Sequence, residues 1–226
     1  MSESLEKERW RAARSDMYRA LILDLAEEVF AESGFEAAAV RDVAARGSMS
    51  LATLYGHFAG KDALYRAVHG RRLAELLRVT IRPAPAAVDA LDRLLGALEW
   101  HVAFHVAHPA YLRMHLREGN TWGFIEGLRT PEQVAAWTAG QQTMAAAFAD
   151  GQASGLFVDE DTAWMARTTN VLTQMALARW VEQGMKRGVD EVARELRRQF
   201  VRSFCRLERM AELLARVDAR PPIEGA

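Results

Sequence analysis

One cysteine in 226 residues, Cys205, leaves this chain without material for a disulfide framework or a thiolate metal cluster. Its apolar neighbours mark it as a small buried hydrophobe. No stretch reaches the roughly 20 consecutive apolar residues that span a bilayer, and the opening MSESLEKERWRAARSD is too charged for a secretory signal. A cytoplasmic chain with no membrane partner is expected. Sustained period-two alternation and hairpin signals are missing as well, which excludes sheet architectures and leaves an all-α chain.

Charge of one sign is lacking too. Lys and Arg total 29 against 30 Asp and Glu, for a net charge of −1, and within residues 1–66 nine bases face eleven acids. A polyanionic partner must therefore be met by bases sorted in space. Arg41, Arg46 and Lys61 are expected on one side and the acids from Asp24 to Glu32 on another, with weak, salt-sensitive non-specific binding. Signatures of catalysis are absent: no phosphate loop, no clustered carboxylates, no Ser/His/Asp or Cys/His pairing, and no E-x-x-H. His101, His105 and His108 share a helix face, with His115 beyond, but no carboxylate or thiol joins them at ligand spacing. No catalytic residue, cofactor or metal is expected.

What the chain does hold is helical periodicity, with half its residues hydrophobic. A first helix carries Leu21, Ile22, Leu25, Ala26, Val29 and Phe30 inward and stops at Gly34. A long helix runs from Lys61 through Leu77, and Pro83 and Pro85 mark a seam. Then come a stripe from Val88 through Val102 to His108, a shorter helix opened by Pro109, and a helix opened by Thr130-Pro131-Glu132-Gln133 and broken at DGQASG. Thr162–Gln183 and Asp190–Val217 close the series as antiparallel neighbours across a short Gly184–Gly188 turn.

The stretch Val43–Phe58, VAARGSMSLATLYGHF, sets two short helical patterns about a tight turn. Ser50 is placed to cap the second. That piece, Leu51–Tyr55, is too short for a core helix. It offers Thr53, Tyr55 and His57 to phosphates or base edges while Leu54 and Phe58 anchor it inward. With Ile22–Phe35 before it and Lys61 and Leu64 after it, the run resembles the helix-turn-helix of the tetracycline-repressor (TetR) family over about the first third of the chain. It departs from that family in two places. Ala37-Ala38-Ala39 stands where a hydroxyl cap is usual, which costs about 1 kcal/mol if nothing replaces it. Gly47-Ser48 stands where Ala-Gly is favoured, so either Ser48 takes an unfavourable backbone angle or the turn is built differently.

The resemblance implies an N-terminal three-helix DNA-binding domain (1–66) and a helical ligand-binding and dimerisation domain (67–226), about nine helices in all. It implies a homodimer through the last two helices, bound to double-stranded operator DNA. Arg41, Ser50, Leu51, Ala52, Thr53, Tyr55, His57 and Lys61 form the expected DNA face, with Ala52 allowing close approach and Lys61 holding a phosphate. In the second domain Trp100, Phe104, Tyr111, His115, Trp122, Trp137, Met144, Trp164 and Met175 are the candidate lining for a small hydrophobic or aromatic ligand. Taken singly, such residues more commonly fill a core. The chain is thus expected to be a repressor released from DNA by ligand. The alternatives are a DNA-binding dimer without a ligand and a helical enzyme acting on a small molecule.

Overall fold

The computed structural model describes residues 2–80, 89–117 and 130–223. Among these the all-α expectation holds. The helices are α1 (Ser2–Ala37), α2 (Val40–Arg46), α3 (Leu51–Tyr55), α4 (Lys61–Thr80), α5 (Ala90–Ala107), α6 (Pro109–Arg117), α7 (Pro131–Ala153), α8 (Thr162–Glu182), α9 (Val189–Phe204) and α10 (Met210–Asp218). A single 3-10 turn, Leu207–Arg209, precedes α10. The Pro83–Pro85 seam, Val88 and Trp122 lie outside the described residues.

Helix α1 starts well before the expected first helix, and Leu21 is exposed rather than buried. Its helical geometry breaks at Gly34, where φ is +76°, a left-handed angle that costs glycine little. Ile22, Ala26, Val29 and Phe30 of α1 pack with Val43 and Ala44 of α2, Leu54 of α3, and Leu64, Tyr65 and Val68 of α4. Tyr65 is the centre of this core, with Phe30 and Phe35 edge-on to it at 5.0 and 4.7 Å. Phe104, Tyr111 and Met114 of α5 and α6 complete the same cluster, so the N-terminal core reaches past residue 66.

A second core joins α5 to α7 through α10, with Leu91, Leu95, Phe148, Met165, Leu177, Leu196, Phe200 and Leu213 buried. Phe148, Phe157, Phe200 and Phe204 stack within it at 5.0 to 6.1 Å. The expected break within DGQASG is found, α7 ending at Ala153. A Cβ on Gly151 would stand 2.2 Å from the Phe157 ring, so that glycine serves close packing, and Gly155, at φ +72°, makes the break.

The expected last helix is not continuous. At Cys205 the backbone turns extended and forms an isolated bridge with Phe157, and the Val158 N–H donates to the Phe204 carbonyl at 2.9 Å. Its apolar stripe, Val192, Leu196, Phe200 and Phe204, is used within the chain's own core. Helix α10 folds back on α9, and at its end Arg216 pairs with Asp89, the cap of α5, at 2.6 Å and Arg220 with Glu99 of α5 at 2.8 Å.

The turn between α2 and α3 is built with Ser48 in the left-handed region at φ +49°. Gly47 stays glycine for space, since a Cβ there would meet the tips of Met49 and Leu25 at 2.5 and 2.7 Å. Replacing Ser48 by glycine relieves the backbone angle and adds no volume. Ser48→Gly is expected to raise stability by about 0.5–1 kcal/mol in urea unfolding; an unchanged or lowered midpoint would overturn this reading of the turn.

Candidate nucleic-acid interface and the junction behind it

Helix α3 has five residues, too few to hold itself together in water, so its ends and one side chain must fix it. The Ser50 Oγ accepts the Thr53 N–H at 3.0 Å and also bonds the Thr53 hydroxyl at 2.9 Å. Leu54 is fully buried and Phe58 nearly so, which pins the helix to the N-terminal core. The opposite face is open. Leu51 is 44% exposed and Tyr55 53%, and Ala52 and Thr53 are exposed between them. These residues form one outward surface of the kind that can enter a groove.

At the start of α2 the missing hydroxyl cap is partly replaced. The Asp42 carboxylate accepts the Ala39 N–H at 3.3 Å. Arg41 is exposed and stands 3.7 Å from Asp42. The expected sorting of bases from acids fails at Arg46, which forks onto Glu32 at 2.5 and 2.9 Å and reaches Glu28 at 3.3 Å. Glu32 is held below the ordinary carboxylate range by that hydrogen bond from Arg46.

Lys61 points back into the fold. Its Nζ donates to the carbonyls of Phe35 and Glu36 at 2.8 and 3.1 Å and lies 4.5 Å from the Phe35 ring centre, closing the end of α1. His57 is half-buried beneath α1, where Tyr18 stacks on its ring at 6.2 Å and Arg19 donates to its carbonyl at 3.2 Å.

Of the nine candidate ligand residues, the structure brings four together. Trp100 stacks on Phe104 at 5.6 Å, Phe104 meets Tyr111 at 6.3 Å, and Tyr111 meets His115 at 6.2 Å. Trp137 and Met144 are half-buried along α7. Trp164 and Met175 are placed outside any such group, 54% and 64% exposed on the outer face of α8. Trp122 lies outside the described residues.

The four gathered residues abut groups from α4 that the sequence reading passed over. The His69 ring bonds the Tyr111 hydroxyl at 3.2 Å and packs edge-on to Tyr65 at 4.5 Å, so α4 and α6 meet through aromatic and polar contacts at once. Their spacing was the available signal: residues 65 and 69, 101 and 105, and 111 and 115 are all four apart, each pair on one helix face. Burial pulls the His101 imidazole down to about 4, helped by His115, and pulls His105 well below its ordinary range, helped by His101 and His108.

Residues 22–68 match the model of the bacterial regulatory proteins of the tetR family. This N-terminal segment, about a fifth of the chain, is similar to the tetR family. Over 76 residues it is 40% identical to an HTH-type transcriptional repressor of Mycobacterium tuberculosis, a match covering 34% of this chain and 39% of that protein. Over 84 residues it is 34% identical to the HTH-type transcriptional activator FasR of Mycolicibacterium smegmatis, covering 37% and 38%. The chain thus matches about two fifths of the length of these curated relatives. A solved gamma-butyrolactone receptor superposes at a TM-score of 0.69 over 91% of this chain and 96% of its own, at 19% identity, which extends the shared fold to the helical second half.

The buried imidazoles set a pH dependence whose sign follows from their depressed values. Unfolded histidines titrate near 6.5, so below that pH the unfolded chain takes up protons that folded His101 and His105 refuse. Stability is complete above about pH 6.5 and declines as pH falls toward 4. The urea midpoint is expected to drop between pH 6.5 and 5, and to drop less in His105→Leu. Equal pH slopes in the two proteins would show that this imidazole is not held neutral.

Proposed function

We propose that this chain is a homodimeric, DNA-binding transcriptional regulator, a repressor released from operator DNA by a small hydrophobic or aromatic ligand. The observation that carries the reading is α3 itself. A Ser50-capped helix is anchored by Leu54 and Phe58, presents Leu51, Ala52, Thr53 and Tyr55 outward, and lies inside the family-matched segment. The curated relatives matched over this segment are named as transcriptional regulators, one a repressor and one an activator. In this reading residues 1–66 read DNA and 67–226 sense ligand and pair, with Phe104, Tyr111 and Met114 of the second segment packed into the N-terminal core.

Leu51 and Thr53 meet base edges, Ala52 permits close approach, and Tyr55 and Arg41 reach phosphates or base edges. Lys61 acts by closing α1 and placing α4, in keeping with its two carbonyl contacts. Ligand is sensed where Trp100, Phe104, Tyr111 and His115 gather, in line with the gamma-butyrolactone receptor whose fold the chain shares. Tyr111 bonds His69 of α4, and α4 begins where the turn after α3 ends. A ligand that prefers one setting of that contact shifts the population between two spacings of α3; a ligand indifferent to it shifts nothing.

Pairing through the last two helices is supported by α8. Trp164, Val171 and Met175 recur at seven and four residues on one exposed face, an apolar stripe that a second copy would cover. The outward face of α9 carries Glu191, Arg194, Gln199 and Arg202, so α8 supplies the apolar part.

Two measurements test the proposal. Duplexes selected from a random pool by the full chain should yield a pseudo-palindromic site. Tyr55→Ala should weaken binding to it by about tenfold or more, at the roughly 1–3 kcal/mol typical of a base-edge contact, with unfolding unchanged. An unchanged affinity would remove α3 from the DNA face. Val171→Asp with Met175→Asp should convert a dimer to a folded monomer in sedimentation, and a persistent dimer would move the interface elsewhere.

A further inference from the structure

Four cations of α2 and α4 are engaged within the fold. Arg46 is held by Glu28 and Glu32, Arg71 by Asp24 and Glu27, and Arg72 by Glu27 and Glu75, while Lys61 meets two carbonyls. Besides Arg41, further exposed bases are then available to flanking phosphates. The first four turns of α1 carry them. Lys7, Arg11, Arg14 and Tyr18 recur at four, three and four residues, which places them on one helix face within about 60° at about 100° per residue.

Lys7, Arg11 and Arg14 are exposed and Tyr18 is half-buried, and Arg11 and Arg14 meet no carboxylate among the described residues. Arg14 instead lies 5.7 Å from the Tyr18 ring centre, and Tyr18 stacks on His57, immediately after α3. The stripe thus starts at the edge of the α3 surface and runs away from it for about 16 Å at about 1.5 Å per residue, close to five base pairs at about 3.4 Å each. Acidic Glu8 and Asp16 fall on other faces of the helix.

We propose that the Lys7–Arg11–Arg14 stripe of α1 is a second DNA contact, gripping the phosphate backbone that flanks the site read by α3. It rests on the DNA-reading role of α3 and extends the footprint outward from each half-site. A sugar-phosphate backbone is the occupant that fits: it is polyanionic, it is continuous with the strand beneath α3, and its charges repeat along a line, as the stripe's do.

The test uses the full chain and the duplex it selects, in a long form with native flanks and a short form cut back to the half-sites. Arg11→Ala/Arg14→Ala should lose about tenfold in affinity on the long duplex. It should lower the slope of log K against log salt by about 2, at roughly 0.9 per phosphate, and leave the short duplex unaffected. Arg11→Lys/Arg14→Lys should restore most of the slope, since phosphate contacts ask mainly for charge. Both positions are exposed, so circular dichroism should not change. Unchanged affinity and slope on the long duplex, with Tyr55→Ala still weakening binding, would overturn the stripe while leaving α3 as reader. An equal loss on both duplexes would overturn the flanking assignment. Loss of sedimentation with phosphatidylglycerol vesicles and an unchanged DNA slope would make the stripe a membrane surface instead. If the wild type selects no duplex and Tyr55→Ala changes nothing, the regulator reading fails first.

Discussion

A single buried carboxylate sets the geometry of the rest. Glu27 of α1 is 3% exposed and accepts from Arg72 at 2.7 and 3.0 Å and from Arg71 at 3.1 Å. A carboxylate removed from water costs several kcal/mol unless it is paired and fully hydrogen-bonded, and removing one partner of such a pair costs about 3–5 kcal/mol. The arrangement is therefore intolerant of sliding. Two guanidinium groups one residue apart, both held by one carboxylate, restrict α4 to discrete registers along α1, whereas apolar contacts between the same helices would tolerate gradual sliding.

The register adopted propagates in both directions. Toward the N-terminal face it fixes Tyr65 beneath Phe30 and Phe35, and so fixes the start of α4, the turn before it and α3. Toward the second core, Arg72 also binds Glu75, whose carboxylate lies 3.6 Å from His108 at the end of α5. His69, two and three residues before the arginines that bind Glu27, meets Tyr111 of α6. Helix α4 is thus held by charge on one side and by rings on the other, which is the construction needed if a change at the rings is to be felt at α3. The charged side resists displacement of α4 in steps smaller than the loss of a contact, so the helix has discrete settings rather than a continuum.

Local chemistry was legible in the sequence where one residue decides it. Ser50 reads as a cap and caps; Gly34 reads as a left-handed stop and adopts that angle; Ser48, displaced into the glycine's place, takes φ +49°. The helix-turn-helix could be found because its determinants lie within a few residues of one another. Features set by partners distant in the chain were not legible. Arg46 looks free in a list of charges, yet Glu28 and Glu32 are 18 and 14 residues away on a neighbouring helix. Lys61 looks like a phosphate ligand at a helix start until the chain end of α1 is brought to it. The break at Cys205 is imposed by Phe157, far upstream, against a hydrophobic repeat that reads as continuous helix.

The aromatic residues of the second half show the same division from another side. Trp100, Phe104, Tyr111, His115, Trp164 and Met175 are alike in composition, and periodicity assigns each to a helix face without saying what that face meets. Tertiary packing separates them. The first four join the rings that border α4, and Trp164 and Met175 turn outward on α8. A large exposed ring on a helix whose other face is fully packed has no intramolecular use, and its burial by a second copy would recover free energy at roughly 25 cal/mol per Å² of apolar surface. On the proposed function, sensing and pairing would fall to different helices: the inner rings of α5 and α6 border α4, and the outer stripe of α8 would set where a partner's α4 lies. On that proposal the distance between two copies of α3 would depend on both, through the α1–α4 register that Glu27 holds.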